Sequence, residues 1–244
     1  MHMQKVKMAD LVINLVVFLF ALIGVLATSL SISGLMSGFS LLYYTVQSNI
    51  WIGVTCLAFA ILKIFGYKRG KNLIPSWLYI TKYVFVVAIT LTMVVFWLLL
   101  APTLKLPSYL VSPSNLFAHT LTPIVAILSF LLFDSRDYQL NKKQAILSLA
   151  TPLYYVAFAI IASSSGIMFH TFRMPYFFMD YYQFGWFNSL TFSGEYGFSS
   201  FGVFYWIIII SLFIFLMGLG YVYLNNRLHQ KVRHIPSISK ENAQ

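Results

Sequence analysis

The stretch LLYYTVQSNIWIG, Leu41 to Gly53, sets three polar side chains inside an apolar run. Thr45, Ser48 and Asn49 fall at i, i+3 and i+4, so on a helix they share one face. The run around them, about 40 to 63, is long enough to cross the hydrocarbon core of a bilayer. Five runs of the same kind accompany it, at about 11 to 33, 78 to 101, 115 to 133, 144 to 166 and 203 to 225. The sequence therefore predicts an all-α polytopic membrane protein. Its six-transmembrane-helix bundle forms a single domain over residues 1–225, followed by a basic tail over 226–244.

Composition agrees with this reading. Of 244 residues 59% are hydrophobic and 9% charged, and mean hydropathy is +0.80. A water-soluble domain cannot combine these values with a solvated surface. The net charge of +10 would suit nucleic acid only if the basic residues shared one exposed face. They follow the topology instead. With an inside amino terminus, fourteen Lys and Arg residues fall on inside segments, against Lys105 and Arg173 outside. That bias assigns both termini to the cytoplasmic side and argues against a nucleic-acid partner. The single cysteine, Cys56, lies mid-span and has no partner for a bridge. Lys5 and Lys7 precede an apolar run longer than a signal h-region, so an uncleaved first span is expected.

Connections follow from Gly, Pro and charge. A short outer turn with Gly34 and Gly38 makes the first two spans adjacent and antiparallel. In the third span Lys82 is expected to snorkel to the inner surface, and Asp134 to mark the inner end of the fourth. The fourth span opens with Asn115, His119 and Thr122 on one face, and Pro123 loosens the hydrogen-bond ladder beside them. Residues 167–202 are rich in Phe, Tyr and Trp but broken by Gly and Pro, which predicts an outer cap over the bundle mouth.

Polar side chains at membrane depth need partners or a polar cavity. The second and fourth spans both enter from outside, and at ~1.5 Å per residue Thr45 and His119 lie at similar depth, about 6 to 8 Å below the outer helix ends. A hydroxyl beside an imidazole is a nucleophile and base in kind. Ser48, Asn49, Asn115 or a cap tyrosine could donate to an oxyanion. The same hydroxyls equally suit bonds to helix carbonyls or to a neighbouring helix. His119 equally suits a bond across the bundle. No second ligand accompanies it for a metal, and nothing calls for a cofactor. Asp180 could orient His119, hold Arg173 or cap a helix.

The motifs Tyr43-Tyr44-Thr45-Val46-Gln47-Ser48-Asn49, Asn115-Leu116-Phe117-Ala118-His119 with Thr122-Pro123, and Met174-Pro175-Tyr176-Phe177-Phe178-Met179-Asp180 with Gly185-Trp186 occur in that order. Together they resemble the androgen-induced family of multi-pass membrane hydrolases, in its bacterial branch, from about residue 10 to 225. The resemblance implies hydrolysis of a fatty-acyl ester, of the kind found in fatty-acid esters of hydroxy fatty acids. It implies Thr45 as nucleophile and His119 as general base. Ser48, Asn49, Asn115, Thr122, Tyr176 and Asp180 are then candidates to bind substrate. Membrane lipids are the expected partners, and a bacterial plasma membrane is favoured over endoplasmic reticulum. A non-catalytic lipid binder or transporter and a lipid acyltransferase are the competing expectations.

Overall fold

The computed structural model describes residues 2–33, 38–103, 112–188 and 201–233. The expected turn at Gly34, the outer loop around Lys105, the part of the cap that holds Glu195 and the end of the tail lie outside these residues. Six helices are long and apolar enough to cross a membrane: α1 (Val6–Leu30), α2 (Tyr44–Arg69), α3 (Ser76–Leu100), α4 (Pro113–Asp137), α5 (Lys142–Ser164) and α6 (Val203–Val232). No strand occurs among the described residues. The architecture is that of a multi-pass integral membrane protein. Large apolar side chains such as Leu98, Ile161 and Leu212 face outward, as hydrocarbon surroundings allow.

The start of α1 and the end of α6 lie at one end of the bundle, and the described part of the aromatic cap lies at the other. Small residues let the helices approach closely, which matters where lipid supplies no hydrophobic drive. A Cβ added at Gly24 of α1 would stand 3.0 Å from the Ala118 backbone nitrogen of α4. One added at Gly218 of α6 would stand 2.6 Å from Ser148 Oγ on α5. The first contact sets α1 against α4 one residue before His119.

Two helix boundaries differ from expectation. α2 begins at Tyr44, because a 3₁₀ turn, Gly38–Leu42, precedes it and Tyr43 is extended (φ −88°, ψ 137°). Thr45 therefore sits in the first turn of α2 rather than five residues in. At the other end of the chain, helix continues through Arg233 where a tail was expected from residue 226. The polar residues that suggested an exit are docked. Asn225 Oδ1 accepts from the Leu140 N–H at 2.9 Å, and its Nδ2 donates to the Tyr138 carbonyl at 3.2 Å. His229 Nδ1 lies 2.8 Å from the Ser135 carbonyl.

The largest departure is electrostatic. Lys82 does not snorkel: it is 0% exposed, and its Nζ lies 2.6 Å from Asp134 Oδ2. It donates to Asn14 Oδ1 at 2.7 Å and to Ser129 Oγ at 3.0 Å. Lys63 is also buried, ion-paired with Asp10 and 3.7 Å from both Asp134 and Asp137. Asp134 is thus an interior carboxylate rather than an end marker, and α1 to α4 each contribute a charge to one buried network. A lysine can snorkel only where no better partner exists; here opposite charges from neighbouring helices converge on it.

Candidate functional site

The cap end of the bundle holds a partly open cavity of about 70 Å³. Every helix except α1 contributes to its wall, as does the cap. Thr45 of α2 and His119 of α4 both line it, together with Thr92 of α3, Tyr155 of α5, Tyr176 of the cap and Trp206 of α6. The rest of the lining is mainly aliphatic, including Leu91, Val95, Leu153, Val156, Ile207 and Ile210.

Local helix distortion places His119. Pro123 has no N–H to give to the His119 carbonyl, four residues back. The ladder widens at this point into a π turn, Phe117–Leu121, in which the Thr122 N–H reaches the Phe117 carbonyl. α3 carries a matching π turn, Phe96–Leu100. Phe96 from that turn stacks on the imidazole, with ring centroids 3.9 Å apart and planes 12° apart. The ring also comes within hydrogen-bonding reach of the Thr92 backbone carbonyl. Its Nδ1 is buried and has no hydrogen-bond partner. Such π turns recur at sites where a helix must aim one side chain.

Thr45 meets a different neighbour. The Tyr176 phenol lies in hydrogen-bonding contact with Thr45, side chain and backbone, and with the Tyr155 hydroxyl. Tyr155 in turn donates to the Leu42 carbonyl at 3.0 Å. Burial pushes the Tyr176 phenol up to about 12, so it is neutral at physiological pH. Tyr44 shares a hydrogen bond with Thr151 at 3.1 Å, which fixes the start of α2 against α5. Thr45 and His119 share the cavity without a direct hydrogen bond between them.

The other candidates divide. Ser48 and Asn49 do not line the cavity; they tie helices together. Ser48 Oγ lies 2.8 Å from Thr92 Oγ1 and donates to the Thr45 carbonyl at 3.1 Å. Asn49 Nδ2 donates to the Thr45 carbonyl at 2.8 Å and to the Ala118 carbonyl at 3.1 Å. One amide therefore joins the residues on which Thr45 and His119 are aligned. Asn115 and Thr122 are buried on α4 outside the cavity wall, and the Thr122 hydroxyl has no partner. Asp180 neither orients His119 nor pairs with Arg173. Its carboxylate accepts from the Tyr182 and Gln183 N–H groups, both at 3.1 Å, and caps the short helix Tyr181–Phe184. Arg173 packs over the Tyr182 ring, 4.8 Å from its centroid. No group of metal-ligating side chains occurs among the described residues.

Sequence reasoning missed Tyr155 and Thr92 as parts of the site. Tyr155 lies three residues after Pro152 and, four after Thr151, on the same helix face, a usable signal. Thr92 contributes through its backbone carbonyl, which no residue pattern announces.

Fold and site together define a class: a six-helix bundle whose cavity is apolar along most of its wall and carries a hydroxyl, a phenol and an imidazole. No family model, curated protein or solved structure matches the chain. The resemblance to the androgen-induced family accordingly rests on the three motifs themselves.

Proposed function

We propose that the protein is an intramembrane lipid hydrolase that cleaves a fatty-acyl ester with Thr45 as nucleophile and His119 as base. The observation that carries the reading is that these two side chains, from different helices, line one largely aliphatic cavity. Apolar walls suit the acyl part of an ester, and its polar group can be met by Thr45, Tyr176 and His119 on the same wall.

In this reading the Thr45 hydroxyl leaves its contact with Tyr176 and its oxygen bonds to the ester carbonyl carbon, while the proton passes to His119 Nδ1. The carbonyl electrons move onto oxygen, where the Tyr176 phenol and the positive end of the α2 dipole supply positive charge. Collapse expels the alcohol, which takes the proton from His119. Water then repeats the sequence on the acyl-threonine and releases the fatty acid. Contacts of this kind commonly tighten only when substrate is bound. If a second lipid alcohol replaces water, the same intermediate gives acyl transfer, and added acceptor separates the two by product.

A fluorophosphonate bearing an alkyl chain labels the wild type covalently in this scheme and leaves Thr45→Ala unlabelled. Equal labelling of both refutes the nucleophile assignment. A second reading, a non-catalytic lipid carrier, draws on the engagement of the Thr45 hydroxyl by Tyr176 rather than by His119. It expects saturable lipid binding that survives Thr45→Ala, with no turnover. A proton-coupled transporter using His119 has less to support it. Lys82 and Thr92 are ten residues apart on α3, about 15 Å along the axis. Between the charged network and the cavity lie the buried apolar residues Ile52, Cys56, Val86, Ile89 and Ala126. The positive-inside bias and the bacterial look of the motifs favour a bacterial plasma membrane, with the cap outside.

A further inference from the structure

The termini end of the bundle holds a second cavity, of about 240 Å³, between the start of α1, the ends of α2 and α4 and the loop that follows α2. Its wall combines Lys7, Lys63, Lys71 and Arg136 with Asp10 and Asp137. The carboxylates are already engaged. Asp10 pairs with Lys63 and accepts from Asn14 Nδ2 at 3.1 Å and from the Tyr67 hydroxyl at 3.3 Å. Asp137 lies 3.7 Å from Lys63 and accepts from the Tyr79 hydroxyl at 3.3 Å. Asp134, behind them, is held between Lys82 and Lys63.

The cations at the mouth are not so matched. Lys7, Lys71 and Arg136 are exposed and form no ion pair among the described residues. Lys7 and Arg136 rest against the rings of Tyr67 and Phe133, which leaves their charge open to an anion. Three unmatched cations around a cavity at the polar end of a helix bundle form a receptor for a phosphate group. The exposed apolar side chains Ile64 and Phe65, on the last turns of α2, give acyl chains a surface just beyond the mouth.

We propose that this cavity binds the phosphodiester headgroup of an anionic phospholipid from the leaflet at the termini end. The lipid's phosphate lies among Lys7, Lys71 and Arg136, its glycerol enters the cavity, and its chains run along α2. The site is separate from the Thr45 cavity and does not depend on the chemistry proposed there.

The test uses the purified full chain in a zwitterionic detergent, with lipid binding read by native mass spectrometry. The titrants are phosphatidylglycerol, phosphatidylcholine and inorganic phosphate. Phosphatidylglycerol is expected to bind saturably and phosphatidylcholine far more weakly. The double variant Lys71→Gln, Arg136→Gln alters only exposed side chains and so keeps the wild-type melting temperature. It is expected to weaken phosphatidylglycerol binding roughly 25-fold, at about 1 kcal/mol per cation. Competition by inorganic phosphate at millimolar concentration only supports the phosphate as the group recognised; inorganic phosphate binding more tightly than phosphatidylglycerol overturns the assignment to a headgroup. Equal affinity for the two lipids, or unchanged phosphatidylglycerol affinity in the double variant, overturns the proposal.

Discussion

Replacing Lys82 by methionine removes a charge from the most enclosed part of the bundle while keeping most of the side-chain volume. The lysine ammonium is 2.6 Å from Asp134, 2.7 Å from Asn14 Oδ1 and 3.0 Å from Ser129 Oγ. Its loss leaves Asp134, 1% exposed, with only Lys63 at 3.7 Å to offset its charge. It also leaves the Asn14 carbonyl oxygen without its donor. Stranding one member of a buried pair costs about 3–5 kcal/mol, whereas replacing both by apolar groups is often neutral. For a chain of this size about 3 °C of melting temperature accompanies each kcal/mol, so Lys82→Met is expected to lower the midpoint by roughly 10 °C. The assay is thermal unfolding in detergent micelles, followed by size-exclusion recovery, for Lys82→Met, Asp134→Leu and the double variant. Coupling predicts that the double variant is more stable than either single one. Additive losses, or a single-variant loss below about 1 kcal/mol, would refute the view that these charges hold one another in the interior.

Two further substitutions probe the cap end. Asn49→Ala removes the bonds to the Thr45 and Ala118 carbonyls and is expected to cost about 1–3 kcal/mol in the same unfolding assay. Because the cavity walls remain intact, its fluorophosphonate labelling slows rather than vanishes; wild-type labelling kinetics would show that the α2 and α4 alignment does not matter. Tyr176→Phe is expected to lower ester turnover by about 10²-fold through loss of an oxyanion donor. A phenol raised to about 12 stays protonated through the assay range, so the shape of the rate profile between pH 7 and 10 is the same in wild type and variant. A basic limb near pH 10 that disappears in Tyr176→Phe would contradict this.

The six helices were legible because each is an uninterrupted apolar run of bilayer length, and hydrocarbon leaves the backbone no alternative. That Thr45 and His119 belong to the same end of the bundle was legible for a related reason, since topology fixes which end of a span faces which side. Their depths were not, because Thr45 lies in the first turn of α2 and His119 six residues past the start of α4. What local pattern could not supply was direction. Ser48 and Asn49 do share a face with Thr45, but that face turns to Thr92 and Ala118, so two expected pocket residues are cross-links instead. Lys82 looked free to reach water because its distance from the helix end allows it, and only the convergence of α1, α3 and α4 removes the choice. A signal was nonetheless present. Asp10, Lys63, Lys82 and Asp134 all lie within two turns of the end of their helix at the termini side, with opposite signs on α1 and α2 and on α3 and α4. The start of α2 was misjudged because Leu41 to Tyr43 are apolar enough to prolong the run, and hydropathy does not register a 3₁₀ turn or an extended residue.

The buried charges also bear on how such a chain is made. A single lysine or aspartate near the centre of a span costs about 2.5–3.5 kcal/mol to transfer into lipid, and less near its end. Asp10 on α1 is neutralised by Lys63 on α2, and Lys82 on α3 by Asp134 on α4. Each successive pair of helices, released from the insertion machinery as a hairpin, therefore carries no net interior charge, whereas either helix released alone would. The contacts Lys63 to Asp134 and Lys82 to Asn14 then join one hairpin to the other. The order in which the ribosome delivers the helices is thus the order in which their charges can be cancelled.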